Sequence, residues 1–171
     1  MKYFKLSIAI IISIVLGLVF LHSVYTKLLP VIETFEFTFV DLGLANWYSA
    51  PIIARLLIGF EFFLGLLLVL NYNLKKFTLP FTIALLAFFI IYLALQILIS
   101  GNSGNCGCFG EHHKMTPLAA IIKNLIMIVG CFIVYRLSEG WKVKFNTVLL
   151  SFVALTCLTV PFIVNPIDFT Y

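Results

Sequence analysis

The chain has 171 residues, of which 63% are hydrophobic and only 11% are charged. Its mean hydropathy is +1.15. A soluble domain would carry roughly 25% charged residues, so this composition excludes an ordinary soluble domain and indicates an integral membrane protein. The net charge of +4 is no sign of nucleic-acid binding, because Lys and Arg in a membrane protein report its orientation.

Five hydrophobic runs are long enough to cross a hydrocarbon core, which takes about 20 residues of helix. They cover about residues 4–24, 51–70, 77–99, 117–135 and 145–164. Pro117 fits the first turn of the fourth span, where its missing N–H costs nothing. Residues 25–49 mix charged with aromatic residues, and we expect this segment to lie at the membrane interface.

An odd number of spans places the two termini on opposite sides of the membrane, and the basic residues indicate which side is which. With a cytoplasmic N-terminus, the inside segments hold Lys2, Lys5, Lys75, Lys76, Arg136, Lys142 and Lys144, and the outside segments hold Lys27 and Lys114. This excess favours N-in, C-out topology. In a bacterial inner membrane, the segment from about residue 100 to 116 would then face the periplasm.

That segment carries two cysteines, Cys106 and Cys108, separated by Gly107. A disulfide between residues i and i+2 closes a small, strained ring, and strain makes such a bond easier to reduce. Gly107 relieves part of the strain because it has no Cβ. The bond would restrain little of the chain, so it would add little to the stability of the fold. In an oxidising compartment, these features favour a dithiol that cycles by thiol–disulfide exchange.

Two other interpretations of this loop stay open. One is a static disulfide or an inert loop. The other is a zinc or copper site, although successive histidine side chains diverge and rarely both reach one ion. The ligands of that site would be Cys106, Cys108, His112 and His113. The remaining cysteines, Cys131 and Cys157, fall inside spans, where free cysteines behave as small hydrophobes.

Ionisable residues inside spans are costly and are functional candidates by default. At about 1.5 Å per residue, Arg55 and Lys123 lie one to two turns below the outer surface, and Glu61 lies near the midplane. With Gln96 and Asn124, they predict a polar cluster beneath the cysteines. Its cations would lower a thiol pKa or hold the anion of a reduced quinone. Alternatively, Arg55 and Lys123 snorkel to the surface and Glu61 pairs with one of them.

Three stretches of the sequence carry a family resemblance. They are residues 23–28 with Pro30, residues 55–65, and Cys-Gly-Cys-Phe-Gly at 106–110 followed by Thr116 and Lys123-Asn124. Together they resemble the MauE/DoxX-like redox-associated membrane proteins, and the MauE (methylamine utilisation) branch in particular. The cysteine loop is the specific part of the likeness.

The resemblance implies an all-α, polytopic, four-helix DoxX-like bundle in the bacterial inner membrane, over residues 1–140. The chain departs from this pattern by an additional transmembrane helix in residues 141–171. The resemblance also implies thiol–disulfide chemistry beside a thioredoxin-like partner. MauE is implicated in maturing the disulfide-rich small subunit of methylamine dehydrogenase. The fold is also similar to quinone-linked disulfide-forming enzymes of the VKOR and DsbB types.

These observations predict a thiol–disulfide oxidoreductase. Cys106 and Cys108 would exchange disulfides with a periplasmic thioredoxin-fold protein or a secreted, disulfide-containing substrate, with quinone as a candidate cofactor. The chain departs from DsbB-type relays in having no second cysteine pair outside the membrane. His112 and His113 are no part of the family pattern. The alternatives are a non-enzymatic assembly or transport subunit with a static disulfide, and a Cys/His metal-handling protein.

Overall fold

The computed structural model describes residues 2–29, 32–102, 115–138 and 146–167. This part of the chain is helical and contains no β-strand. A π-helical turn, Leu74–Thr78, leads directly into the fourth α-helix. The α-helices are α1 (Lys2–Leu28), α2 (Glu33–Asp41), α3 (Ala50–Val69), α4 (Leu79–Ser100), α5 (Pro117–Leu137) and α6 (Thr147–Val164).

Five of these helices are long and apolar enough to cross a membrane, which confirms the predicted all-α, five-span architecture. The spans are Tyr3–Leu28, Ala50–Val69, Leu74–Ile99, Pro117–Leu137 and Thr147–Val164. The main difference from the sequence prediction is in the first span, which continues past its predicted end at about residue 24 and reaches Leu28. Lys27 therefore lies in the last turn of a membrane-spanning helix and not in a connecting segment.

The close packing of α3 against two neighbours depends on glycine. A Cβ atom on Gly65 would lie 3.1 Å from the Cβ of Phe20 in α1, and one on Gly59 would lie 2.9 Å from the carbonyl oxygen of Cys157 in α6. Small residues let helix backbones approach in this way. These short distances show that α3 packs closely on α1 at Gly65 and on α6 at Gly59.

The spans that pack together run antiparallel. Lys27 near the end of α1 meets Glu61, whereas a Cβ on Gly17, nearer the start of α1, would meet Val69 at the end of α3. The C-terminal ends of α1, α4 and α6 and the N-terminal ends of α3 and α5 therefore share one end of the bundle. We call it the loop end, because residues 103–114 connect α4 to α5 there.

The short helix α2 packs into the loop end of the bundle. Phe35 and Phe39 are each only 2% exposed, and their ring centroids lie 6.3 and 5.2 Å from that of Tyr92 in α4. The expectation that residues 25–49 lie at the membrane interface stays a prediction, and the structure adds that one face of this helix is buried in the bundle. Its alternating charged and aromatic residues suggest a surface segment, but helical spacing turns Phe35, Phe39 and Glu36 inward together.

We predict that Gly59→Ala weakens the packing of α6 on α3. The added Cβ would lie 2.9 Å from two backbone atoms, the Cys157 oxygen and the Leu158 Cα, which cannot rotate away. Overpacking of this kind costs about 1–3 kcal/mol. Thermal unfolding of the purified chain in detergent should therefore show a lower midpoint.

Gly130→Ala is the matched control, because its Cβ would meet only Leu16 side-chain atoms, at 3.3 Å and beyond. Both changes gain about 1 kcal/mol of helix propensity. Gly130→Ala should consequently be neutral or stabilising. Equal stabilisation by the two variants would contradict the close approach of α6.

Candidate functional site

Two buried ion pairs lie between the loop end and the middle of α3. Lys27 of α1 donates to Glu61 of α3, with Nζ and Oε2 2.6 Å apart. Arg55 of α3 pairs with Glu36 of α2, with Nη1 and Oε1 2.5 Å apart. All four side chains are at most 7% exposed. A charge buried in a membrane protein is tolerated when it is paired in this manner.

The ammonium group of Lys27 also lies against two aromatic rings. Its Nζ atom is 4.5 Å from the ring centroid of Phe89 in α4 and 5.2 Å from that of Phe35 in α2. Cation–π attraction is strongest when the cation is desolvated, as it is here. Lys27 also lies in the last turn of α1, where the helix dipole favours a positive charge. One cation thereby contacts α2, α3 and α4.

Arg55 also donates hydrogen bonds to backbone carbonyl groups, both in its own helix and just beyond the end of α6. Its Nε donates to the carbonyl oxygen of Asn165 at 2.8 Å, and Nη1 donates to that of Pro51 at 2.9 Å. The side-chain amide of Asn165 donates in turn to the carbonyl oxygen of Leu28 at 2.6 Å. The end of α6 is consequently fastened to α1 and α3, although most of α6 faces outward.

Burial raises the pKa of the Glu36 carboxyl above its usual range. The charge of Arg55 and its hydrogen bond lower that pKa, but they offset only part of the effect of burial. A carboxyl with a raised pKa binds its proton more tightly in the folded chain than in the unfolded chain. Its contribution to stability is therefore complete below the ordinary Glu pKa and is lost as the pH rises through the raised value.

A small cavity adjoins the Lys27–Glu61 pair at the junction of α1, α3, α4 and α5. Its volume is about 10 Å³, which is room for about one water molecule. A ligand pocket for a molecule of quinone size would need about 300 Å³ or more. A quinone ring therefore does not fit this cavity. The lining residues are Val19, Phe20, Ser23, Lys27, Glu61, Leu86, Phe89, Lys123, Asn124 and Met127.

The structure brings together only part of the predicted polar cluster. Glu61, Lys123 and Asn124 line the cavity. Arg55 is not among its lining residues and pairs with Glu36 instead. Gln96 is 9% exposed on α4, and its Oε1 has no hydrogen-bond partner among the described residues.

Two sequence-based alternatives for the charges are wrong. Arg55 does not snorkel, since it is 2% exposed and bound on several sides. The cation that binds Glu61 is neither Arg55 nor Lys123 but Lys27. Sequence reasoning missed Lys27 and Glu36 because both lie in a segment too polar to be taken for membrane interior. The signal that could have found them is the helical spacing of Phe35 and Phe39 about Glu36.

The cysteine loop itself lies outside the described residues, and so do Cys106, Cys108, His112 and His113. Its two flanks are held together, because Asn102 Oδ1 accepts a hydrogen bond from the backbone N–H of Leu118 at 3.1 Å. The Thr116 hydroxyl accepts from the Ala119 N–H at 3.4 Å and caps α5. Within the described ranges, no cluster of three or more potential metal ligands occurs.

Cys131 and Cys157 are buried and unpaired, as the sequence predicts. The Cys131 side chain of α5 is fully buried, and Cys157 lies where α6 packs on α3. Neither is bonded to another cysteine. They act as small apolar side chains in the packing between helices.

Five long apolar helices that enclose two buried ion pairs define a multi-pass membrane protein. Comparison with known proteins names its family. The chain belongs to the MauE family, since the family model described as methylamine utilisation protein MauE matches residues 5–137. This match spans α1 to α5 and confirms the resemblance noted in the sequence.

A relative among known proteins extends the similarity to α6. The chain is 38% identical over 170 residues to Protein TlpB of Flavobacterium psychrophilum, which covers 93% of this chain but 46% of that protein. The chain therefore spans less than half the length of this curated relative. No solved structure matches the chain.

We predict that the Lys27–Glu61 pair is stabilising only as a pair. Lys27→Met or Glu61→Leu alone leaves an uncompensated charge in the bundle and should cost about 3–5 kcal/mol. The double variant leaves none, so it should recover much of that loss. Thermal unfolding in detergent of the four proteins of this cycle measures the coupling.

Lys75→Met is the control for the first substitution. Lys75 is half-buried at the opposite end of the bundle and lies over the ring of Tyr135, with its Nζ 5.2 Å from the centroid. Its replacement should cost at most about 1 kcal/mol. Strictly additive losses in the Lys27/Glu61 double variant would contradict the energetic coupling of the pair.

Proposed function

We propose that the chain is a thiol–disulfide exchange protein of the bacterial inner membrane. Cys106 and Cys108 form its reactive pair and exchange disulfides with a periplasmic thioredoxin-fold protein or a secreted, disulfide-containing substrate. The biological role is maturation of a periplasmic protein. Membership of the MauE family and the similarity to TlpB support a membrane, redox-associated role for this chain.

One observation carries the proposal: the buried ion pairs of the described helices lie between the loop end and the middle of the bundle. Lys27, Glu36, Arg55 and Glu61 form two ion pairs there, and Lys123 lines the adjoining cavity. The ion pairs lock α1, α2 and α3 together beneath the loop flanks. A rigid base of this kind suits a short reactive loop, because the thiols need a defined position for attack on a partner disulfide.

Charge supports a periplasmic position for the loop end. Lys5, Lys76 and Arg136 are exposed at the opposite end, which the positive-inside rule assigns to the cytoplasm. Lys27 counts for little at the loop end, because Glu61 neutralises it. The N-terminus would then be cytoplasmic, and the end of α6 would be periplasmic. Residues 1–140 would form the family bundle, with α6 as an added helix within residues 141–171.

The exchange step balances without a further reactant. A thiolate of the partner attacks one sulfur of the Cys106–Cys108 disulfide and forms a mixed disulfide, and the second partner thiol then resolves it. The loop ends as a dithiol and the partner as a disulfide, so two protons and two electrons pass to the loop. The reverse sequence oxidises the loop. Quinone stays a candidate cofactor and is assigned no electron step.

We predict that Cys106→Ser and Cys108→Ser each abolish disulfide exchange. Either change leaves one thiol, which can form a mixed disulfide but cannot resolve it. The measurement is oxidation or reduction of a thioredoxin-fold protein by the full chain in lipid nanodiscs. Activity should fall to the background rate in both variants, and the remaining cysteine should trap the partner covalently.

Cys131→Ser is the matched control, because it makes the same chemical change at a buried, unreactive thiol of α5. It should retain the wild-type exchange rate. Activity that survives in both loop variants would contradict the proposal and favour an assembly or transport subunit with a static bond. Metal that copurifies with the chain and is lost in the His112→Ala/His113→Ala double variant would favour metal handling instead.

A further inference from the structure

Two backbone donors in the first turn of α5 are bound by different parts of the chain. A helix leaves the N–H groups of its first turn without partners inside the helix, and Pro117 has no N–H to satisfy. The N–H of Ala119 donates to the hydroxyl of Thr116, the N-cap residue, at 3.4 Å. The N–H of Leu118 donates to Oδ1 of Asn102, at 3.1 Å. This second cap comes from the other side of the cysteine loop.

Asn102 reaches α5 because of the way in which α4 ends. Gly101 is the C-cap residue of α4, with φ of +75° and ψ of −178°. This backbone conformation is essentially confined to glycine, and it redirects the chain at the end of the helix. The side chain that follows, that of Asn102, then meets the start of α5. A side-chain oxygen is well suited to this place, because the N-terminal end of a helix dipole favours an acceptor.

The hydrogen bond between Asn102 and Leu118 joins positions 16 residues apart, and Cys106 and Cys108 lie between them in the sequence. The bond is exposed, so it should add little to the free energy of unfolding. Its main effect falls on the segment that it closes, because holding the two ends of a loop together removes conformational freedom from the residues between them. Restraint of this kind matters most when two large molecules must react in one orientation.

We propose that Asn102 is a positioning residue for disulfide exchange with a folded protein. It acts through the segment that it closes and not by contact with a sulfur atom. A folded partner approaches the Cys106–Cys108 pair in few orientations, so its reaction depends on the restraint. A small dithiol approaches in many orientations, so its reaction does not. The inference rests on the proposed function and deepens it, since it makes Asn102 a determinant of selectivity for protein thiols.

Reduction of the Cys106–Cys108 disulfide by two different reductants tests this inference in the full chain, held in lipid nanodiscs. One reductant is reduced bacterial thioredoxin, and the other is dithiothreitol. Each transfers two electrons and two protons to the loop and leaves as its own disulfide. Asn102→Ala should lower the rate constant with thioredoxin several-fold and leave the rate constant with dithiothreitol unchanged. Asn102→Asp keeps an acceptor oxygen for the Leu118 N–H, so it should retain the wild-type ratio of the two rate constants.

Asn146→Ala is the matched control. Oδ1 of Asn146 also accepts from a helix N–H, that of Val148 in α6, at 3.4 Å. This cap is local to α6 and lies at the end of the bundle opposite the loop end. Its removal should leave both rate constants unchanged, although the chemical change is the same as in Asn102→Ala.

The two reductants separate failure of the inference from failure of the proposed function. An equal fall of both rate constants in Asn102→Ala would overturn the inference, because the bond would then act on the disulfide itself. So would a thioredoxin rate constant that Asn102→Ala leaves as high as Asn146→Ala does. A wild-type chain that does not exchange with thioredoxin would contradict the proposed function, and the inference would fall with it.

Discussion

The fold depends on the requirement that a charge inside a membrane bundle be paired. Lys27 and Glu61 meet this requirement across α1 and α3, at a distance of 2.6 Å. The rings of Phe35 and Phe89 add favourable contacts from α2 and α4. Since either charge alone would be strongly unfavourable, the pair fixes the register of α1 against α3. Gly17 and Gly65 then let the two backbones pack closely along that register.

The second ion pair, between Arg55 and Glu36, meets the same requirement. It also positions α2 and the end of α6. Glu36 draws the short helix α2 onto α3 through Arg55, and the other donors of Arg55 hold the end of α6. The guanidinium group suits this task because it presents several donors in a fixed plane. The loop flanks, α2 and the end of α6 are thus gathered at one end of the molecule. In the proposed function, this end presents the Cys106–Cys108 pair to its periplasmic partner.

Much of this architecture could be predicted from the sequence. The five spans follow from apolar runs alone, and the family follows from the Cys-Gly-Cys-Phe-Gly loop with the Arg55–Gly65 stretch. The pairing of the charges could not be predicted, because it depends on where α1 ends and on how α2 folds back. A hydropathy pattern treats Lys27 and Glu36 as connecting residues, since it averages over neighbours. Only the tertiary structure shows that they are the partners of Glu61 and Arg55.

In the proposed function, Cys106 and Cys108 cycle between disulfide and dithiol while the bundle beneath them stays fixed. The most direct measurement is the redox state of the pair in intact cells, trapped by acid quenching and a mass-tagged alkylating reagent. We expect both oxidised and reduced populations, with a shift to the dithiol soon after a membrane-permeant reductant is added and a return when it is removed. A Cys106–Cys108 pair that remains fully oxidised throughout, while the buried Cys131 thiol also stays unalkylated, would contradict the proposed function.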